Sequence, residues 1–213
     1  MEKLFSKDVA DQIQAILKDM VNPITIKLFV DGACETCEET KQLLTETSEL
    51  SEKITLVVSE LSDASDDLVT YDIEMTPSFV FLDHENNYRG VKFNGIPAGH
   101  EINSFISAIM EMSGVEYKFS DDVLARISKI NKPVDIKVFV TLSCPHCPGA
   151  VQTAHRLAML NSNVKGQMIE AQTFYELSTK HNVSGVPKIV INDKYELLGN
   201  QPVEEFLKKI ESL

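Results

Sequence analysis

The sequence predicts an α/β protein made of two tandem units, each a four-stranded mixed sheet with helices on both faces. Three observations carry that prediction. First, "VNPITIKLFVDGACETC" and "NKPVDIKVFVTLSCPHC" run from Val21 to Cys37 and from Asn131 to Cys147. The differences Pro133 − Pro23, Cys144 − Cys34 and Cys147 − Cys37 are all 110, and this offset holds without a gap through Glu60 and Glu170 to Pro77 and Pro187. Matched cysteines, strands and prolines together mark a tandem duplication. Second, within each unit the apolar spacing switches between helical and strand periods in the same order. Third, 213 residues accommodate two domains of ordinary size. The boundary falls in the linker, giving residues 1–114, with the "CETC" pair, and 115–213, with the "CPHC" pair.

Each element has a local reason. "SKDVADQIQAILKDM" and "SDDVLARISKI" place apolar residues at helical spacing behind a Ser-Asp start, so each unit opens with an amphipathic helix. "ITIKLFV" and "VDIKVFV" are β-branched and aromatic and read as strands. A helix follows each cysteine pair, "CEETKQLLTETSEL" and "CPGAVQTAHRLAML". A strand comes next ("ITLVVSE"; "VKGQMIEA"), then a short helix ("SDDLVTYDI"; "TFYELSTKHNV") and a proline. Hairpins turning at "HENN" and at Asn192-Asp193 precede the closing helices, "EINSFISAIMEMSG" and "VEEFLKKIESL". Helix-strand-helix-strand-helix-strand-strand-helix is the order that covers a mixed sheet on both faces.

Composition narrows the function. The apolar fraction is 43%, that of an ordinary globular chain, and the formal net charge of −12 argues against nucleic acid, which needs clustered Lys and Arg. The opening segment mixes charged and apolar residues and no apolar run approaches 18 residues, so neither a signal peptide nor a membrane span is expected, and the expected location is cytoplasmic. Cysteines in a reducing compartment are poor structural staples, which leaves redox dithiols or metal ligands. The metal reading is the weaker. A zinc ribbon sets its pairs about 15–20 residues apart, whereas each pair here belongs to its own unit.

A cysteine where a strand hands over to a helix sits near unpaired N–H groups and the positive end of the macrodipole, which favours a thiolate. Cys34 and Cys144 are therefore the expected nucleophiles, and Cys37 and Cys147, one turn on, the resolving thiols. Strand, C-x-x-C, helix and a proline about 40 residues on resemble the thioredoxin fold. Two such units resemble the cytoplasmic protein disulfide oxidoreductases, glutaredoxin-like proteins with tandem thioredoxin folds. "VFVTLSCPHCPGAVQTAHRLA" and "GVPKIVI" carry the closer match. The N-terminal region of the alkyl hydroperoxide reductase flavoprotein is a relative that usually keeps only its second C-x-x-C. The resemblance implies that Pro77 and Pro187 are cis and face the disulfides, and that the backbones of Thr76 and Val186 pair with a substrate strand.

The fillings of the two pairs differ. Glu35, Glu38 and Glu39 oppose a thiolate at Cys34, whereas Pro145, His146 and Pro148 bring no carboxylate to Cys144. The C-terminal pair is accordingly expected to be the more oxidising. The opposing reading makes the first site degenerate. Leu28 and Val138 stand where thioredoxins usually bury an acid, so Glu60 and Glu170 are candidate proton acceptors, against the simpler reading of exposed strand ends. His155 and His181 are expected on helix surfaces, His84 and His100 in loops, the methionines in the core and "SDASDD" in solvated turns and caps.

The function these residues point to is thiol–disulfide exchange with protein disulfide or dithiol substrates. It needs no organic cofactor and no metal, and electrons would come from a thioredoxin-reductase-like flavoprotein, since no G-x-G-x-x-G run is present. The alternatives are an electron carrier between a flavoprotein reductase and a peroxiredoxin, a glutathione-dependent glutaredoxin, and a non-catalytic client-binding chaperone. Neither a nucleic acid nor a membrane is an expected partner.

Overall fold

The computed structural model describes residues 3–213. Ser6 and Ser120 act as N-caps, their hydroxyls accepting the N–H of Val9 and Val123, and they open α1 (Lys7–Leu17) and α5 (Asp121–Ser128). Then follow β1 (Ile24–Val30), α2 (Cys37–Ser48), β2 (Ile54–Glu60), α3 (Ser65–Tyr71), β3 (Ser78–Leu82), β4 (Tyr88–Asn94) and α4 (Ile102–Met112). The second unit repeats the order as β5 (Val134–Val140), α6 (Cys147–Leu160), β6 (Val164–Glu170), α7 (Tyr175–Lys180), β7 (Lys188–Ile191), β8 (Tyr195–Leu198) and α8 (Val203–Ile210). The β7–β8 turn forms where expected, with Asn192 and Asp193 both at positive φ, 51° and 52°. Two 3-10 turns, Leu61–Asp63 and Gly99–Glu101, add to the elements expected from the sequence.

The two four-stranded sheets are not separate. They join into one eight-stranded sheet in the order β2-β1-β3-β4-β6-β5-β7-β8. The seam is a parallel ladder from Val91↔Gly166 to Asn94↔Ile169. The burial of β4 explains it, since from Gly90 to Asn94 every residue is buried, as in a strand flanked on both sides, whereas β8 alternates as a free edge does. A polar chain crosses the seam. Ser78 Oγ donates to Asn94 Oδ1, Asn94 Nδ2 to Gln167 Oε1, and Gln167 Nε2 to Asp135 Oδ1, at 2.7, 3.2 and 2.6 Å.

One apolar core runs through both units and includes Cys37 from α2 and Cys147 from α6. Phe79 and Phe93 stack at 4.9 Å in it. Two smaller clusters lie on the other face, under α3 and α7. α6 lies very close to the sheet because β6 carries Gly166, where an added Cβ would sit 2.5 Å from the Ala154 carbonyl oxygen. Gly166→Ala is therefore expected to destabilise by about 2 kcal/mol, read as a lower denaturation midpoint. A neutral result would mean that α6 moves freely.

Two histidines depart from the surface placement expected of them, the first because of the seam. His155 is 1% exposed rather than on the surface, because the face of α6 that carries it lies on β4. Its ring packs 4.8 Å from Phe93 and its Nε2 is 3.3 Å from the Lys92 carbonyl. His181 is half-buried at the end of α7, 5.2 Å from the Phe139 ring and 3.6 Å from Asp193. His84 and His100 are exposed.

Desolvation pushes His155 down to about 3. Its folded form resists protonation, so the neutral ring's stability is full above the unfolded value near 6.5 and is lost as pH falls toward 3. A His155→Phe chain should lose less stability than the parent between pH 6.5 and 4 in thermal scans. Equal slopes would show that the ring can charge where it lies.

Candidate redox site

Both C-x-x-C pairs sit at the same end of the sheet, past the C-termini of two interior strands. β1 and β5 run in the same direction, as the pairings connecting them require, and each delivers a tight turn past its C-terminal end. The Cys34 N–H donates to the Asp31 carbonyl and the Cys144 N–H to the Thr141 carbonyl, both at 3.1 Å. Regular helix begins at the second cysteine of each pair, so Cys34 and Cys144 lie one turn ahead of the helix ends. Each pair is closed as a disulfide, with Cα–Cα distances of 5.4 Å and 5.5 Å. The first sulfur of each pair is the more accessible. Cys34 is half-exposed against 3% for Cys37, and Cys144 is 8% exposed against 0% for Cys147.

The Thr76–Pro77 and Val186–Pro187 bonds are cis. Because Phe29 pairs with Ser78 and Phe139 with Lys188, each proline sits beside the last residue of its central strand, where the cysteine loop departs. The Pro77 and Pro187 carbonyls accept the N–H of Gly95 and Gly199, each at 2.8 Å, which anchors both loops to the sheet.

The recurrent glutamates part company. Glu60 is exposed at the end of β2. Glu170 is 2% exposed, so the reading of both as exposed strand ends fails for the second. One of its oxygens accepts the Thr173 N–H at 2.6 Å and the other is buried without a hydrogen-bond partner among the described residues.

A third carboxylate escaped the sequence reading. Glu101 is 0% exposed, one oxygen is held by the Ser104 hydroxyl and the other has no hydrogen-bond partner among the described residues. Its 3-10 turn belongs to the first unit but is tied to the second, because the His100 N–H donates to the Leu142 carbonyl at 2.9 Å, two residues before Cys144. Gly99, at φ +58°, permits the approach, since a Cβ there would lie 2.3 Å from that same carbonyl. Burial raises Glu101 to about 7, against the lowering effect of the Ser104 hydrogen bond. The only signal in the sequence was a Gly followed by His-Glu ahead of an apolar helix.

Charge differs between the sites as the residues implied. Glu35, Glu38 and Glu39 are exposed around the first pair, and the exposed His146 lies in the second, followed by Pro148 in the first helical turn. Among the described residues, no cluster of three or more His, Cys, Asp or Glu is placed to hold a metal ion, and no helix is long and apolar enough to cross a membrane.

Four strand spacings separate β1 from β5, or about 19 Å. The two disulfides therefore cannot meet within one sheet. A Cys37→Ser/Cys147→Ser chain is expected to form no Cys34–Cys144 crosslink, as checked by mass spectrometry without reductant. An intramolecular crosslink would mean that the seam opens.

The thioredoxin-domain family matches residues 134–212. The structure superposes on that of the alkyl hydroperoxide reductase protein AhpF of Enterococcus faecalis with a TM-score of 0.91 and 30% identity, covering 98% of this chain and 100% of that one. A protein disulfide oxidoreductase from Aeropyrum pernix gives 0.90 and 30%, over 97% and 92%. The corresponding alkyl hydroperoxide reductase protein of Staphylococcus aureus is 29% identical over 209 residues, and the chain spans 38% of the length of that curated relative. The chain thus belongs to the tandem thioredoxin-fold disulfide oxidoreductases, the family that includes the N-terminal domain of AhpF. Its chemistry is thiol–disulfide redox exchange through two C-x-x-C pairs.

Proposed function

We propose that the chain exchanges disulfides with protein substrates at both sites, and that the C-terminal site is the more oxidising. The observation that carries this reading is the closed pair of cysteines beside a cis-proline, present twice at one end of the sheet. Reduced Cys144 attacks a substrate disulfide, a mixed disulfide forms and Cys147 displaces the substrate as a dithiol; the reverse sequence introduces a disulfide. Cys34 and Cys37 act in the same roles at the first site. Thr76 and Val186 offer backbone to the substrate chain. Glu101, whose turn is tied to the loop before Cys144 by the His100–Leu142 hydrogen bond and whose carboxyl burial raises to about 7, is the candidate acceptor for the proton released as Cys147 ionises. Glu170, with one oxygen already engaged, is the lesser candidate. Neither an organic cofactor nor a metal is needed.

A second reading rests on the match to the alkyl hydroperoxide reductase proteins, which extends over 98% of this chain. In it, the chain passes electrons from a flavoprotein reductase to a peroxiredoxin. Insulin reduction by the parent and by a Cys34→Ser/Cys144→Ser chain tests the first reading. Turnover by the parent alone supports it. Tight client binding without turnover in the parent points instead to a chaperone.

A further inference from the structure

The 110-residue offset pairs each position around the first disulfide with one around the second. Asp31, Glu35, Glu38, Glu39, Glu60 and Glu74 stand opposite Thr141, Pro145, Pro148, Gly149, Glu170 and Ser184. Five acids in the first unit meet an uncharged residue in the second, and the sixth meets a carboxylate that is buried and bonded to Thr173. The acids come from the cysteine loop, the first turn of α2, the end of β2 and the approach to the cis-proline. All but the half-buried Asp31 are exposed, and among the described residues none of the six is in an ion pair. These elements meet at the end of the sheet that carries Cys34, the more accessible of the two leading cysteines, since Cys144 is only 8% exposed.

Acids outside any ion pair among the described residues, grouped at the end of the sheet that carries an open disulfide, select what may approach it. We infer that the first site exchanges disulfides with a protein partner whose reactive cysteines are flanked by lysine or arginine, and that the second site serves a different, uncharged or apolar surface. This rests on the proposed redox role of Cys34 and Cys37 and names the partner class of that site. A group of like charges raises the local concentration and association rate of an oppositely charged partner and repels an acidic one, and salt abolishes both effects. The assignment agrees with the spacing of the two disulfides, because sites about 19 Å apart at one end of a rigid sheet can face different partners.

The test uses the full chain carrying Cys144→Ala/Cys147→Ala, reduced and then mixed with two synthetic peptides. Both peptides hold the same internal disulfide, one flanked by lysines and one by glutamates. Cys34 attacks the peptide disulfide and Cys37 resolves the mixed disulfide. Two electrons and two protons pass to the peptide, which leaves as a dithiol while Cys34–Cys37 closes. The ratio of the two rates cancels any change in the intrinsic reactivity of Cys34.

At low salt the lysine peptide is expected to react at least about tenfold faster. The ratio should collapse toward unity in 0.5 M NaCl and in a Glu35→Gln/Glu38→Gln/Glu39→Gln/Glu74→Gln chain. A Cys37→Ser chain, which traps the peptide on Cys34, gives the same comparison by mass spectrometry if the first variant folds poorly. Equal rates at low salt, or a preference that survives both high salt and removal of the acids, overturn the inference while leaving the redox role intact. No reaction with either peptide overturns the redox role of this site and the inference with it.

Discussion

Cys144→Ser is expected to bring reduction of a protein disulfide close to the uncatalysed rate, whereas Cys34→Ser leaves a readily measured fraction. The thiolate is the attacking species, so the better protein reagent is the site that stabilises it more. Both leading cysteines lie one turn ahead of a helix, which makes the helix contribution similar. What differs is charge, with three exposed carboxylates beside Cys34 and a histidine and two prolines beside Cys144. Burial of Cys144, 8% exposed, strengthens the action of nearby charges and dipoles but by itself opposes a thiolate, so the prediction requires the local charges to outweigh desolvation. Initial rates of insulin reduction with the two single variants decide the matter. Loss confined to Cys34→Ser would make the first site the working one.

Glu101→Gln is the second large effect, and it has two signs. Glu101 binds its proton more tightly folded, at about 7, than unfolded, near 4.5. The stability that this proton confers is complete below pH 4.5 and is lost as pH rises through 7. An ionised Glu101 at pH 8 or above therefore costs on the order of 3 kcal/mol, the worth of a shift of about 2.5 pKa units. The amide removes that cost, so the variant should be the more stable chain at pH 8 and show a flatter pH response. The same change should slow exchange at the second site near neutral pH and leave the first site unaffected, since only the second has this turn against its cysteine loop. A variant that is stabilised but exchanges at the parent's rate would reduce Glu101 to an accident of packing.

The fold of each unit was legible because its signals are local. Apolar periods, serine caps, the Asn-Asp turn and the cysteine spacing act within a few residues. The seam was not, because the pairing of β4 with β6 depends on which edge is left free, and Val91 to Asn94 read equally well as a hairpin arm. Everything built across the seam was lost with it. His155 reads as an outer-face residue of its helix until β4 covers it, and Glu101 reads as an ordinary first-turn acid until the second unit's loop closes over its turn. The four cysteines needed no tertiary knowledge. For the cis state of Pro77 and Pro187 the residues alone were silent, and it came from the family resemblance. Glu60 and Glu170 show the limit of the repeat itself, since matched positions share a backbone but not an environment.

The measurement that bears most directly on two differently tuned sites is the reduction potential of each pair with the other removed, Cys34→Ser/Cys37→Ser in one chain and Cys144→Ser/Cys147→Ser in the other. Partly exposed charges at these distances shift a thiol pKa by about one unit, which is about 30 mV for a two-electron couple if fully expressed. The Cys144–Cys147 couple is expected to be the more positive by roughly that amount, so that transfer of electrons from the first site to the second would run downhill. Equal potentials, or a more positive Cys34–Cys37 couple, would contradict it.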